Sequence, residues 1–212
     1  MSRKALLVCG VLSSLLYVGI DQLAAIRHAG YHDFASQTIS ELGARGAPTK
    51  TLVDPLFILY DVLTIAFGVG VWRWARGNRP LRIAAASLIA VGVVGLPGPW
   101  LFPMNLRGVG GDLDHIVGTG VIVLFILTGV GFGAFALGRR FRVYSFATLV
   151  ATTGFGVLTS LQAGGLAGGS PTPWIGRTER LCIGAFLLWV GVLAIALWRA
   201  QPTSRGQREV HA

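Results

Sequence analysis

Only nine Asp and Glu and four His occur in 212 residues, so each group able to carry a proton or a charge stands out. The stretch SQTISELGARG, residues 36–46, places Ser40 and Glu41 between two apolar runs, and Asp61 and His115 lie inside or beside such runs. A carboxylate and a histidine close to a bilayer can act as acid and base, because low dielectric shifts their proton affinities. Glu41, Asp61 and His115 are therefore the candidate catalytic groups. His28 and His32 have the i, i+4 separation of a helical metal pair, interrupted by Gly30. With His115 and one carboxylate they would complete a tetrahedral zinc set, the one metal alternative in a chain whose sequence otherwise calls for no cofactor. No GxSxG elbow, P-loop, GxGxxG, HExxH or CxxC is present, which leaves the standard hydrolase, nucleotide and thiol-redox readings without a motif.

The elements that must position these groups are apolar. Of the chain 53% is hydrophobic and 13% charged, with a mean hydropathy of +0.65, against about 25% charged in a soluble domain. At ~20 apolar residues per crossing, the length supplies about six spans. Apolar runs at 5–26, 54–76, 81–103, 113–137, 143–163 and 180–199 show no period-2 alternation. The expected fold is an all-α integral membrane protein of six transmembrane helices, a single domain over 1–200 with a polar tail at 201–212. The first run follows SRK and is trailed by QLAA, as a signal peptide is, but five further runs favour a span.

Charge sets the expected orientation. With the N-terminus inside, Arg3, Lys4, Arg73, Arg76, Arg79, Arg82, Arg139, Arg140, Arg142, Arg199, Arg205 and Arg208 are cytoplasmic, twelve of eighteen basic residues. The positive-inside rule then places both termini in the cytoplasm of a bacterial inner-membrane protein. The net charge of +9 thus reads as topology rather than nucleic-acid binding. Of the acids only Glu209 is cytoplasmic, while His28, His32 and His115 share the outer side with the remaining eight.

Local signals refine the outer face. Thr38 and Glu41 have capping-box spacing with Gly43 as the C′ residue, predicting a short interfacial helix with Phe34, Ile39 and Leu42 in the apolar layer. Asp54 is placed as N-cap and Pro55 as first residue of the second span, with Asp61 about 10 Å further down the same face. Pro97, Pro99 and Pro103 should stop the third span near Leu96 and open a recess outward. Asp112 or Asp114 would cap the fourth, and Gly129 and Gly133 have the small-xxx-small spacing of close helix packing, extending to a possible homo-oligomer face. Residues 163–176 read as a flexible outer loop with Trp174 as an interface anchor, and Trp189 as packing. Cys9 and Cys182 lie at opposite depths and cannot pair.

SQTISELGARGAPT, DPLFILYDVL, LFPMN with DLDHIVGTG, and GRTERLCIGAFLLWV, in this order over about residues 5–200, resemble the bacterial and archaeal membrane proteins grouped as domain of unknown function 998. The resemblance singles out Ser40, Glu41, Gly43, Phe102, Pro103, His115, Glu179 and Arg180. The pattern often has an aspartate after FP. Asn105 stands there in this chain, so a metal-ligand or base role at that place does not carry over. What the resemblance implies is a six-helix membrane fold without an assigned reaction. The expected function is binding or sensing of a lipid head group in an outer polar pocket lined by Ser40, Glu41, Asn105, His115, Glu179 and Arg180, with Arg180 or Arg177 as cation for Glu41, Asp61 or Glu179. The alternatives are a lipid-directed hydrolase using His115 with Glu41 or Asp61, and a small proton-coupled transporter.

Overall fold

In a computed structural model that describes residues 3–200, the chain forms eight helices and, among the described residues, no strand. These are α1 (Arg3–Arg27), α2 (Ile39–Leu42), α3 (Lys50–Ala75), α4 (Arg79–Gly95), α5 (Gly98–Leu101), α6 (Leu113–Gly133), α7 (Arg139–Ala167) and α8 (Ile175–Arg199). The tail at 201–212 lies outside the described residues.

Five helices, α1, α3, α6, α7 and α8, are long and apolar enough to cross a membrane. The third expected span behaves differently. It is one helix of 17 residues, α4, followed by the separate four-residue α5. The break comes where the prolines demand it, since Pro97 and Pro99 have no N–H to continue the ladder. At ~1.5 Å per residue, α4 alone reaches about 25 Å, short of a ~30 Å hydrocarbon core.

Neighbour contacts run α1–α3–α4–α6–α7–α8 and back to α1, so the six longer helices close into a ring. Small residues let them approach. A Cβ on Gly133 would fall 2.4 Å from the Trp189 ring, and one on Gly129 would fall 3.2 Å from Ser87. The Gly129/Gly133 face is therefore occupied by α8 and α4 of the same chain. Trp189 is fully buried and its indole N–H donates to Ser145 Oγ at 2.9 Å. Cys9 and Cys182 are buried and unpaired. Outward-facing Leu15, Val150, Leu161 and Leu188 are 65%, 74%, 76% and 68% exposed, an apolar coat that lipid would cover.

One end of the ring gathers α2, α5, the start of α8 and the loops at 28–49 and 102–112. The other end carries Arg3, Lys4, Arg73, Arg76, Arg79, Arg82, Arg139, Arg140, Arg142 and Arg199 near helix termini. Several helix starts differ from expectation. Helix α3 begins at Lys50, a turn before Asp54, with Leu52 N and Val53 N both donating to the Thr49 carbonyl at 2.9 Å, and Lys50 Nζ bridges Asp54 at 3.0 Å across i, i+4. Its carboxylate is thereby drawn away from a cap, and Pro55 falls inside the helix. Helix α7 runs to Ala167 and α8 starts at Ile175, which shortens the expected 163–176 loop.

Candidate functional site

The SELG segment is held from three sides. Thr38 is the N-cap of α2, its Oγ1 accepting from Glu41 N at 3.1 Å while Glu41 Oε2 accepts from Thr38 N at 2.6 Å. This is the capping box that the Thr38–Glu41 spacing predicts. Gly43 is the C-cap, but at φ −108° it is not left-handed. Ile39 and Leu42 are 4% and 0% exposed, so α2 buries its apolar side in the protein instead of offering it to lipid.

The second side comes from α8. Glu179 accepts from Ile39 N at 2.5 Å and from Ser40 Oγ at 2.8 Å, placing a carboxylate at the amino end of α2. The third comes from the 102–112 loop. Arg107 Nε and Nη2 donate to the two Glu41 oxygens at 3.0 and 3.1 Å, Nη1 reaches Thr172 Oγ1 at 2.7 Å, and Nη2 also reaches the Ser36 carbonyl at 2.8 Å. Arg107 is a partner that the motif spacing did not reveal, because it lies 66 residues from Glu41.

Arg180 takes up a different carboxylate from those expected. Its Nε and Nη2 fork onto Asp21 at 2.9 and 2.7 Å, while Nη1 donates to the carbonyls of Phe34, Gln37 and Gly176 at 2.9, 2.9 and 3.0 Å. The Tyr31 hydroxyl also accepts from Nη2 and donates to the Gln37 carbonyl at 2.6 Å. Burial pushes the Tyr31 hydroxyl well above its ordinary range, more than the facing guanidinium pulls it down. Gly176 allows this approach, since a Cβ there would fall 2.0 Å from the Gln37 carbonyl oxygen. One α8 arginine thus fastens the 31–37 loop to α1.

The other expected groups are placed separately. His115 Nδ1 lies 3.0 Å from the Phe102 carbonyl and donates to it, and the Phe102 ring packs on Gly118. Asn105 closes its own loop, with its N–H on Asp112 at 2.7 Å and its amide on the Gly110 carbonyl at 2.8 Å. Asp112 is the residue before α6 but makes no side-chain cap bond. His28 Nδ1 accepts from Gly30 N at 3.1 Å, and His32 is exposed. Among the described residues no three His, Cys, Asp or Glu side chains gather so as to hold a metal ion. Asp61 is 5% exposed inside α3 and belongs to none of these clusters.

Beside the first turn of α8 a shallow recess of about 350 Å³ is lined by His32, Asp33, Phe34, Ala35, Arg177, Arg180 and Leu181. Asp33 is turned to its own backbone, accepting from Ala35 N at 2.9 Å and Ser36 N at 3.1 Å, which holds its carboxyl below the usual range. Arg177 stacks on Trp174 at 4.9 Å and forms no ion pair within 4.0 Å among the described residues.

The sequence elements are thus brought together two by two, SELG with TER and FP with DHIVG. Residues 11–196 match the family described as Protein of unknown function (DUF998). The chain belongs to this family. No curated protein and no solved structure matches it. In this DUF998 chain the motif residues meet in pairs: Ser40 on Glu179, His115 on Phe102, and Arg180 on the loop that leads to α2.

Proposed function

We propose that the protein spans the bacterial cytoplasmic membrane six times, with α4 and α5 together as the third crossing and both termini cytoplasmic, and binds an anionic lipid head group in the recess beside α8. The concentration of arginines at the end opposite α2 supports that orientation. The observation that carries the binding reading is Arg177, an exposed cation at the mouth of the recess that forms no ion pair within 4.0 Å among the described residues, with Asp33 in electrostatic range. Arg180 beneath it has its donors committed to Asp21 and backbone carbonyls, so it contributes field rather than a free fork. Leu181, Phe34 and Trp174 are 45%, 42% and 54% exposed around it, an apolar frame suited to acyl chains. Binding is preferred to a hydrolase using His115 with Glu41 or Asp61 because Arg107 engages Glu41, the Phe102 carbonyl engages His115, and Asp61 belongs to neither cluster.

The test is a titration of the delipidated chain with phosphatidylglycerol and, separately, with phosphatidylcholine. A charge-assisted contact of ~1.5 kcal/mol corresponds to about tenfold in affinity. Arg177→Ala is expected to weaken phosphatidylglycerol binding about tenfold while phosphatidylcholine binding changes little. Equal binding of phosphatidylglycerol by both proteins would refute the reading.

A further inference from the structure

Asp61 is the one deeply placed acid that the braced α2 end does not use. It lies 11 residues into α3, about 16 Å along the helix. Its carboxylate is pressed onto α4: a Cβ on Gly95 would fall 2.4 Å from Oδ1 and 2.7 Å from Oδ2. Among the described residues it makes no ion pair with Lys, Arg or His and takes no side-chain hydrogen bond. An unpaired carboxylate buried at membrane depth is costly, and such groups normally mark a site that a partner neutralises.

The second observation is the wall it faces. Helix α4 ends at Gly95, and the i+4 donors due to the carbonyls of Val93 and Gly95 would come from Pro97 and Pro99, which have no N–H. Leu96 N closes the last regular turn on the Gly92 carbonyl at 2.9 Å, so the carbonyls of Val93 and Gly95 are left without their helical donors. The carboxyl end of a helix also carries partial negative charge. The Asp61 carboxylate therefore sits against the residue at which α4 loses its helical donors to proline. Broken membrane helices use such ends to hold H⁺ or Na⁺.

The groups facing Asp61 do not supply that charge. From α3 comes Tyr60, and from α1 comes Tyr17, whose ring lies 5.0 Å from that of Tyr60. Tyr17 is within electrostatic range of Asp61, Asp21 and Glu179. Asp21 is already matched by Arg180, and Glu179 is bonded to Ile39 and Ser40. Between Arg82 and Gly95, α4 has no ionisable side chain. Tyr17 is thus in range of both Asp61 and the acids at the α2 end.

We propose that Asp61 and the carbonyls that Pro97 and Pro99 deprive of helical donors at the broken end of α4 form a site for one monovalent cation, H⁺ or Na⁺, reached from the α2 end past Tyr17. Occupancy neutralises the carboxylate and stabilises the folded chain. The experiment is thermal unfolding of the full chain in detergent, for wild type and Asp61→Asn. It is read against Na⁺ at fixed pH with choline holding ionic strength, and against pH without Na⁺. Wild type should gain roughly 5 °C at saturating cation, and Asp61→Asn should be flat. A gain with Na⁺ assigns sodium, and a gain only on lowering pH assigns the proton. A wild type no more responsive than Asp61→Asn in either arm overturns the site. Should Asp61→Asn not fold, a hydrophobic carbodiimide, which adds to protonated carboxyls, gives a readout on wild type alone. Labelling of Asp61 that falls several-fold with added Na⁺ or with rising pH supports the site, and absence of labelling under all conditions overturns it.

Discussion

Replacing Arg180 by alanine should unfasten the 31–37 loop from α1 and α8, and its cost can be worked from the geometry. The side chains of Arg180 and Asp21 are 18% and 7% exposed, and the contact is a two-pronged fork. Removing one member of a fully buried pair costs ~3–5 kcal/mol, much of it from the charge left behind. Residual exposure of the guanidinium screens part of this, so about 3 kcal/mol is expected for Arg180→Ala, roughly a hundredfold in the unfolding equilibrium. A double-mutant cycle with Asp21→Ala, read by reversible unfolding in mixed micelles, isolates the pair. A coupling of about 2 kcal/mol is expected. Arg180→Lys should recover less than half of the lost stability, because an ammonium cannot reproduce the fork together with three carbonyl contacts. Coupling below about 0.5 kcal/mol would show that the fork behaves as a surface pair, and the braced α2 end would be refuted.

Arg107→Ala should cost about 2 kcal/mol and Glu41→Gln a similar amount, with the double variant losing less than the sum because both remove the shared ion pair; fully additive losses would contradict this. Gly176→Ala should destabilise by ~1–3 kcal/mol and raise proteolysis within 31–37, because the added methyl meets the Gln37 and Phe34 carbonyls; unchanged cleavage would argue against that packing. Asp33 has a depressed carboxyl, so the stability of its turn is present above the ordinary value of 3.8 and is lost as pH falls below it. Amide exchange at Ala35 and Ser36 should therefore quicken only below that pH, and Asp33→Asn should exchange quickly at neutral pH as well.

The apolar runs made the long helices legible because about twenty hydrophobic residues leave few other structures open to them. The capping box at Thr38 and Glu41 and the stop after Gly95 were legible for the same reason: both depend on residues within a turn of each other. Contacts made across the chain were not. Arg107 and Glu41 are separated by 66 residues and Arg180 and Asp21 by 159, and no local spacing encodes which arginine meets which acid. The start of α3 was misplaced because Asp54–Pro55 is a strong local signal, whereas the helix opens a turn earlier on the Thr49 carbonyl and Asp54 pairs with Lys50. The short α5 beyond that stop was not legible, because hydropathy does not mark where the backbone becomes helical again after Pro97.

Lipid binding at the recess is tested most directly by the phosphorus content of the purified chain, wild type against Arg177→Ala, after the same detergent exchange. The expected result is about one phospholipid per wild-type chain and a marked loss in Arg177→Ala, with thermal stability retained. Equal phospholipid in the two proteins would contradict the head-group site.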